Sequence, residues 1–282
     1  MTLSIGTTIH YAFVALWRRR WAAGAILLGW LVLDAALRSG QMYFNVHALL
    51  AYTDWMSKVA PNFATPDYVL VLDLATQALN AVIASAFAVL LVRLLILGTP
   101  FGAEIGPAKL ARAMVSVLIF HLSMTLVYRL ATATAFDIVG RVPWRVSPLI
   151  LLAMWLAAVW FGSRLCLVYA NAALGKGWRI GMAWRTTAGH SLRLSLLIGV
   201  VLVCEVAIGV VVSSSFPTER VQVAHMPYAF ILFPLQASLI VVAAKALLLA
   251  LAAVVYARLT GFPAPGIPGA SRSPEQTAEV FE

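Results

Sequence analysis

Six long, unbroken apolar runs divide this chain, and no water-soluble fold can hide them all. They cover about residues 21–37, 68–92, 110–134, 149–170, 194–212 and 230–256. A helix of roughly 20 apolar residues crosses a hydrocarbon core about 30 Å thick, so each run is long enough, or nearly long enough, to span a bilayer. The runs are continuous and do not alternate between apolar and polar, which argues against a membrane barrel. In lipid the backbone must satisfy its own hydrogen bonds, and an uninterrupted run does so as a helix. Composition agrees. Of the 282 residues, 62% are hydrophobic and 11% charged, against roughly half and roughly a quarter in soluble domains. The expected fold is therefore all-α: a polytopic transmembrane helical bundle of six spans over residues 1–260, with short interfacial amphipathic helices.

The segments around the runs are read in the same way. Arg18, Arg19 and Arg20 precede the first run and no small-residue cleavage site follows it, so it reads as an uncleaved span. Ile5, Ile9, Phe13 and Leu16 recur at helical spacing ahead of it and predict an amphipathic helix in the membrane interface. The segment from Met42 to Val59, rich in aromatic residues, reads as its counterpart on the opposite face. Thr99 to Gly102, Gly106-Pro107, Pro143 and Pro148 supply turn chemistry between runs. Residues 261–282 hold four prolines, three glycines and few large apolar residues, and predict a disordered cytoplasmic tail.

Charge placement sets the expected orientation. Of 20 Lys and Arg, Arg38, Lys58, Arg141, Arg145 and Arg220 fall in the odd-numbered connections, and Arg129 and Lys245 fall within runs. The remaining thirteen lie with the termini and the even-numbered connections, which puts both termini in the cytoplasm by the positive-inside rule. The net charge of +9 is thus assigned to anionic lipid headgroups on the cytoplasmic face. No aromatic–basic interleaving suggests a nucleic-acid partner, and no protein partner can be named.

Apart from Arg112 and Arg164, which are counted with the cytoplasmic ends of their runs, six ionisable residues lie inside the runs: Asp34, Asp73, His121, Arg129, Glu205 and Lys245. A charge at the bilayer centre costs about 2.5 kcal/mol or more on insertion scales, so each calls for a partner. Opposite sign at matching depth pairs Asp73 with Arg129 and Glu205 with Lys245 as interhelical ion pairs. Asp34 has Arg38 one helical turn on. These pairs read first as devices that fix helix order, and second as a polar path for an ion or small solute. His121 reads as a packing residue. Cys166 and Cys204 sit inside runs and form no disulfide or thiolate-metal pattern. The sequence has no zinc-protease, phosphate-loop or nucleophile-elbow motif, and His10, His47, His121, His190 and His225 are scattered over five segments. No catalytic residue, cofactor or metal is therefore expected.

The connection between the fourth and fifth runs, Asn171 to His190, mixes bulky apolar with basic residues and predicts an interfacial helix ending at Gly189. Arg164, Trp184, Thr187 and Gly189 carry a resemblance to a broad group of bacterial six-span inner-membrane proteins, mostly uncharacterised. The group includes the membrane region fused to some glycerophosphodiester phosphodiesterases. There an arginine closes the fourth span, and a short helix reads Ser-Trp-x-Leu-Thr-x-Gly before the fifth. Here Ala183 stands in place of the serine and Thr186 in place of the leucine. The resemblance implies a bacterial inner-membrane setting and a six-span fold but no activity, because the phosphodiesterase catalytic domain is not in this chain. The expected role is a non-catalytic scaffold or accessory membrane protein; the alternative is a small-solute or ion transporter using the intramembrane charges.

Overall fold

In the computed structural model the described residues are 4–59, 67–100, 106–141, 147–214 and 229–262, together with Ala264 and Ile267. They are helical almost throughout: α1 Ile5–Arg18, α2 Arg20–Val59, α3 Asp67–Leu97, α4 Pro107–Arg141, α5 Ser147–Ala173, α6 Ile180–Thr187, a 3-10 turn Ala188–His190, α7 Ser191–Ser214 and α8 Ala229–Thr260. Proline opens α4 at Pro107 and stands second in α5 at Pro148, positions where its missing N–H costs nothing. Glycine closes α3 and α5. Gly98 has φ +80° and Gly175 φ +78°. After α5 the amide of Lys176 donates to the Asn171 carbonyl at 2.9 Å, and that of Gly175 to Ala172 at 2.9 Å. This paired closure needs a left-handed residue and so needs glycine.

Six stretches are long and apolar enough to cross a membrane: Arg20–Phe44, Leu74–Leu97, Pro107–Val127, Leu149–Ala173, Ile180–Val211 and Phe230–Thr260. They coincide with the six runs, and the chain is a multi-pass membrane protein. Leu28, Leu126, Leu152, Val206 and Val211 stand exposed on the outside of the bundle, an apolar exterior that only lipid can cover.

Two spans form the centre. Burial reaches 61% in the α3 window and 56% in the α8 window, against 17–22% in the other four. Their inward faces are small. In α8 the stripe Ala246, Ala250, Ala253 and Ala257 is buried, and in α3 Ala81, Ala84, Ser85 and Ala88 are buried. Lipid tails are as apolar as leucine, so helices in a membrane associate by close van der Waals contact, which small residues permit. α8 meets α1, α2, α3, α5, α6 and α7.

α1 and the end of α8 come together at one end of the bundle. Arg258 near the end of α8 donates to Thr7 Oγ1 at 3.3 Å and lies 5.2 Å over the Tyr11 ring. The Arg19 guanidinium approaches Gly98, and Lys176 donates to the Tyr256 hydroxyl at 3.2 Å. α1, the α3–α4 turn, the α5–α6 linker and the end of α8 thus share one side, as an even number of spans requires.

Four sequence expectations change in detail. α1 is amphipathic, but the face it buries against α8 is Thr8, Ala12 and Ala15, while Ile5 and Phe13 stay exposed. The segment 42–59 is no separate interfacial helix. It continues α2, whose 40 residues run about 60 Å, because the one glycine on the way, Gly40, lowers helix propensity without breaking the helix. Gly189 does not end α6 in a left-handed turn; its φ is not positive, and the chain passes through a 3-10 turn straight into α7. Phe262, Ala264 and Ile267, taken with the tail, pack on the bundle; residues 268–282 lie outside the described residues.

Candidate functional site

The intramembrane charges converge on α8. Lys245 stands midway along its span, about 22 Å of helix from either end. Its ammonium lies 5.8 Å over the ring of Trp30 on α2. Trp30, Asp34 and Arg38 follow one another at intervals of four and so share one face of α2. Asp34 is fully buried, and its Oδ2 accepts from Arg38 Nε at 2.6 Å, as the spacing predicts. Lys245 is within electrostatic range of Asp34, Arg38 and Glu205, and of His121 on α4.

The expected Glu205–Lys245 ion pair is not made: among the described residues no carboxylate comes within 4.0 Å of the lysine. Matching depth fixes height in the membrane but not the angle about each helix axis. Lys245 turns toward α2 and α4, and Glu205 remains half-buried on α7. The other expected pair cannot be followed, because the side chains of Asp73 and Arg129 lie outside the described residues.

Two cavities meet at Lys245 and His121. The first, of about 300 Å³, is walled chiefly by apolar side chains, including Trp30, Phe120, Leu165, Leu197 and Leu248, with Cys166 and Tyr169 from α5. Its lining reaches the lipid-facing surface at Met124 on α4 and Gly162 on α5. The second, of about 400 Å³, lies between α3 and α4 and is more polar, with Gln77, Asn80 and Thr125 in its wall. Glu205 lines neither. Trp30 is 1% exposed, and its indole Nε1 is buried without a hydrogen-bond partner, as is Asn80 Oδ1. A buried donor left unpaired costs about 1–3 kcal/mol. A cation over an aromatic face gains about 0.5–2 kcal/mol, less than the roughly 2.5 kcal/mol or more that an ammonium costs at the bilayer centre. Trp30 therefore offsets part of the cost of placing Lys245 there and leaves the rest to other groups.

A second polar constellation, at the α5–α6 corner, gathers three of the four residues that carry the family resemblance. The Arg164 guanidinium lies 5.2 Å over Trp160 and 5.0 Å over Trp184, and donates to the Trp184 carbonyl at 3.0 Å. The two indoles meet edge to face at 5.4 Å. Thr187, fully buried, donates to the Ala183 carbonyl at 2.8 Å. Trp178 Nε1 donates to the Ser116 carbonyl on α4 at 3.1 Å and holds the linker down. Lys176 turns inward against Tyr256 and over Phe262 at 4.6 Å; burial first, and then the nearby Arg179 charge, hold its pKa below the ordinary lysine value. Arg179, Arg185 and Arg193 stay exposed.

Sequence reasoning singled out Lys245 and His121 but missed Trp30, Asn80 and Tyr169 as lining residues. The spacing of Trp30 to Asp34 on α2 was a usable signal; nothing in the sequence marks Asn80. Compared with family models, with curated proteins and with solved structures, the chain matches none.

Proposed function

We propose that the protein is a non-catalytic scaffold or accessory component of the bacterial inner membrane, with both termini in the cytoplasm. The observation that carries this reading is where the charge goes. Asp34 is neutralised by Arg38 within its own helix, Arg164 is held between two indoles, and Lys176 is folded onto Tyr256. Each is satisfied within its own helix or corner, and Glu205, the carboxylate expected to pair with Lys245, lies off both cavities. The distribution of Lys and Arg supports the orientation. Exposed Arg179, Arg185 and Arg193 fit anionic headgroups on the cytoplasmic leaflet. Purification of the full chain in mild detergent, with identification of what travels with it, tests the reading: a stoichiometric protein partner is expected. Ion or solute flux through proteoliposomes holding the chain alone would replace it with the transporter reading. One feature favours that alternative, namely that the two cavities share Lys245 and His121.

A further inference from the structure

We propose that the first cavity is a binding site for an amphiphile that joins an anionic head to an acyl chain, with the head against Lys245 and the chain along the apolar wall. Three observations point to that class. The polar groups around the head position donate. They are the Lys245 ammonium, lying over the Trp30 ring, and the His121 imidazole beside it. The carboxylate on the facing helix that would otherwise complete them, Asp34, is engaged by Arg38. Donors with no direct counter-ion select an acceptor that carries negative charge. Apart from Cys166 and Tyr169, the rest of the wall is apolar, with Phe120, Leu165, Leu197 and Leu248, so the bulk of the ligand is hydrocarbon. Finally, the lining reaches the surface at Met124 and Gly162, within two spans, so a ligand arrives from the bilayer and not from water. A soluble anion fits the head but neither the wall nor the entrance. The volume of about 300 Å³ lies at the small end of ligand sites, so part of the chain remains among the lipids.

Two sources supply this chemistry: a free fatty acid and an anionic phospholipid. The full chain in nanodiscs of neutral lipid is titrated with a fluorescent 16-carbon fatty acid, in competition with palmitate, phosphatidylglycerol or hexadecanol. Saturable binding is expected, displaced by palmitate or by phosphatidylglycerol, and whichever displaces it identifies the source. Hexadecanol, with the same chain and no charge, is expected to compete at least tenfold more weakly. K245M is expected to weaken binding tenfold or more and K245R to restore most of it. At Gly162 an added Cβ meets open space, so G162L is expected to narrow the entrance and slow binding while leaving the melting temperature unchanged. Equal competition by hexadecanol and palmitate overturns the proposal, as does absence of saturable binding or full affinity in K245M. Should K245M fail to fold, the comparison of hexadecanol with palmitate on the unaltered chain decides.

Discussion

Removing Arg38 tests whether the burial of Asp34 depends on the partner one helical turn away. The pair it makes with Asp34 has the spacing of an ordinary surface pair along a helix, worth about 0.3–0.5 kcal/mol. Its environment is different. The Asp34 side chain is 0% exposed and that of Arg38 is 30% exposed, and Asp34 Oδ1 has no hydrogen-bond partner among the described residues. Breaking a fully buried pair by deleting one partner costs about 3–5 kcal/mol, because the remaining charge is stranded. Partial exposure of Arg38 admits screening and lowers this to about 2–3 kcal/mol for R38M. D34N, which leaves a neutral amide beside a partly exposed arginine, costs less. The double variant D34N/R38M recovers part of what R38M loses, since no buried carboxylate is then stranded, although Lys245 loses the nearby Asp34 charge. Equilibrium unfolding in mixed detergent micelles, followed by circular dichroism, measures all three. A loss of about 0.5 kcal/mol or less in R38M would place the pair with surface salt bridges. A double variant whose loss is the simple sum of the singles would refute the stranded-charge reasoning as well.

Two further perturbations act on backbone and packing. G98A forces an L side chain to φ +80° with its Cβ 2.7 Å from the Arg19 guanidinium; it is expected to cost about 1–2 kcal/mol, and R19A in the same chain should relieve only the contact, so full rescue by R19A would show that the backbone is unstrained. A12L adds bulk where α1 meets α8 with Ala12 fully buried; a loss of about 1–3 kcal/mol is expected, with faster tryptic cleavage at Arg18 to Arg20, and an unchanged cleavage rate would mean that α1 docks by another face.

How much of this could be read from the residues depends on which solvent the rule assumes. The six spans were legible, because run length against bilayer thickness is a one-dimensional criterion. The Asp34–Arg38 pair was legible too, since a separation of four fixes geometry within a helix. α1 was legible as an amphipathic helix, but the stripe that packs on α8 was not: in lipid the small Thr8, Ala12 and Ala15 make the close contact, and Ile5 and Phe13 are left facing outward. Lys245 was legible as a residue needing company, yet its neighbour proved to be Trp30 rather than Glu205. Rotation of α7 about its own axis is a tertiary variable that depth does not encode. Gly189 was assigned the turn that Gly175 makes, because composition marks both glycines alike and only the carbonyls awaiting donors tell them apart.

The position of α8 bears on how the molecule is made. This helix, the C-terminal one among the described residues, touches nearly every other, and its tip clasps α1 through Arg258. During synthesis the earlier helices enter the bilayer before this common partner exists. The earlier helices already pack on one another, α2 on α3, α3 on α4, α4 on α5 and α5 on α7, so what waits for α8 is the closing of the centre: the buried alanine stripe and the Lys245–Trp30 contact form only when it arrives.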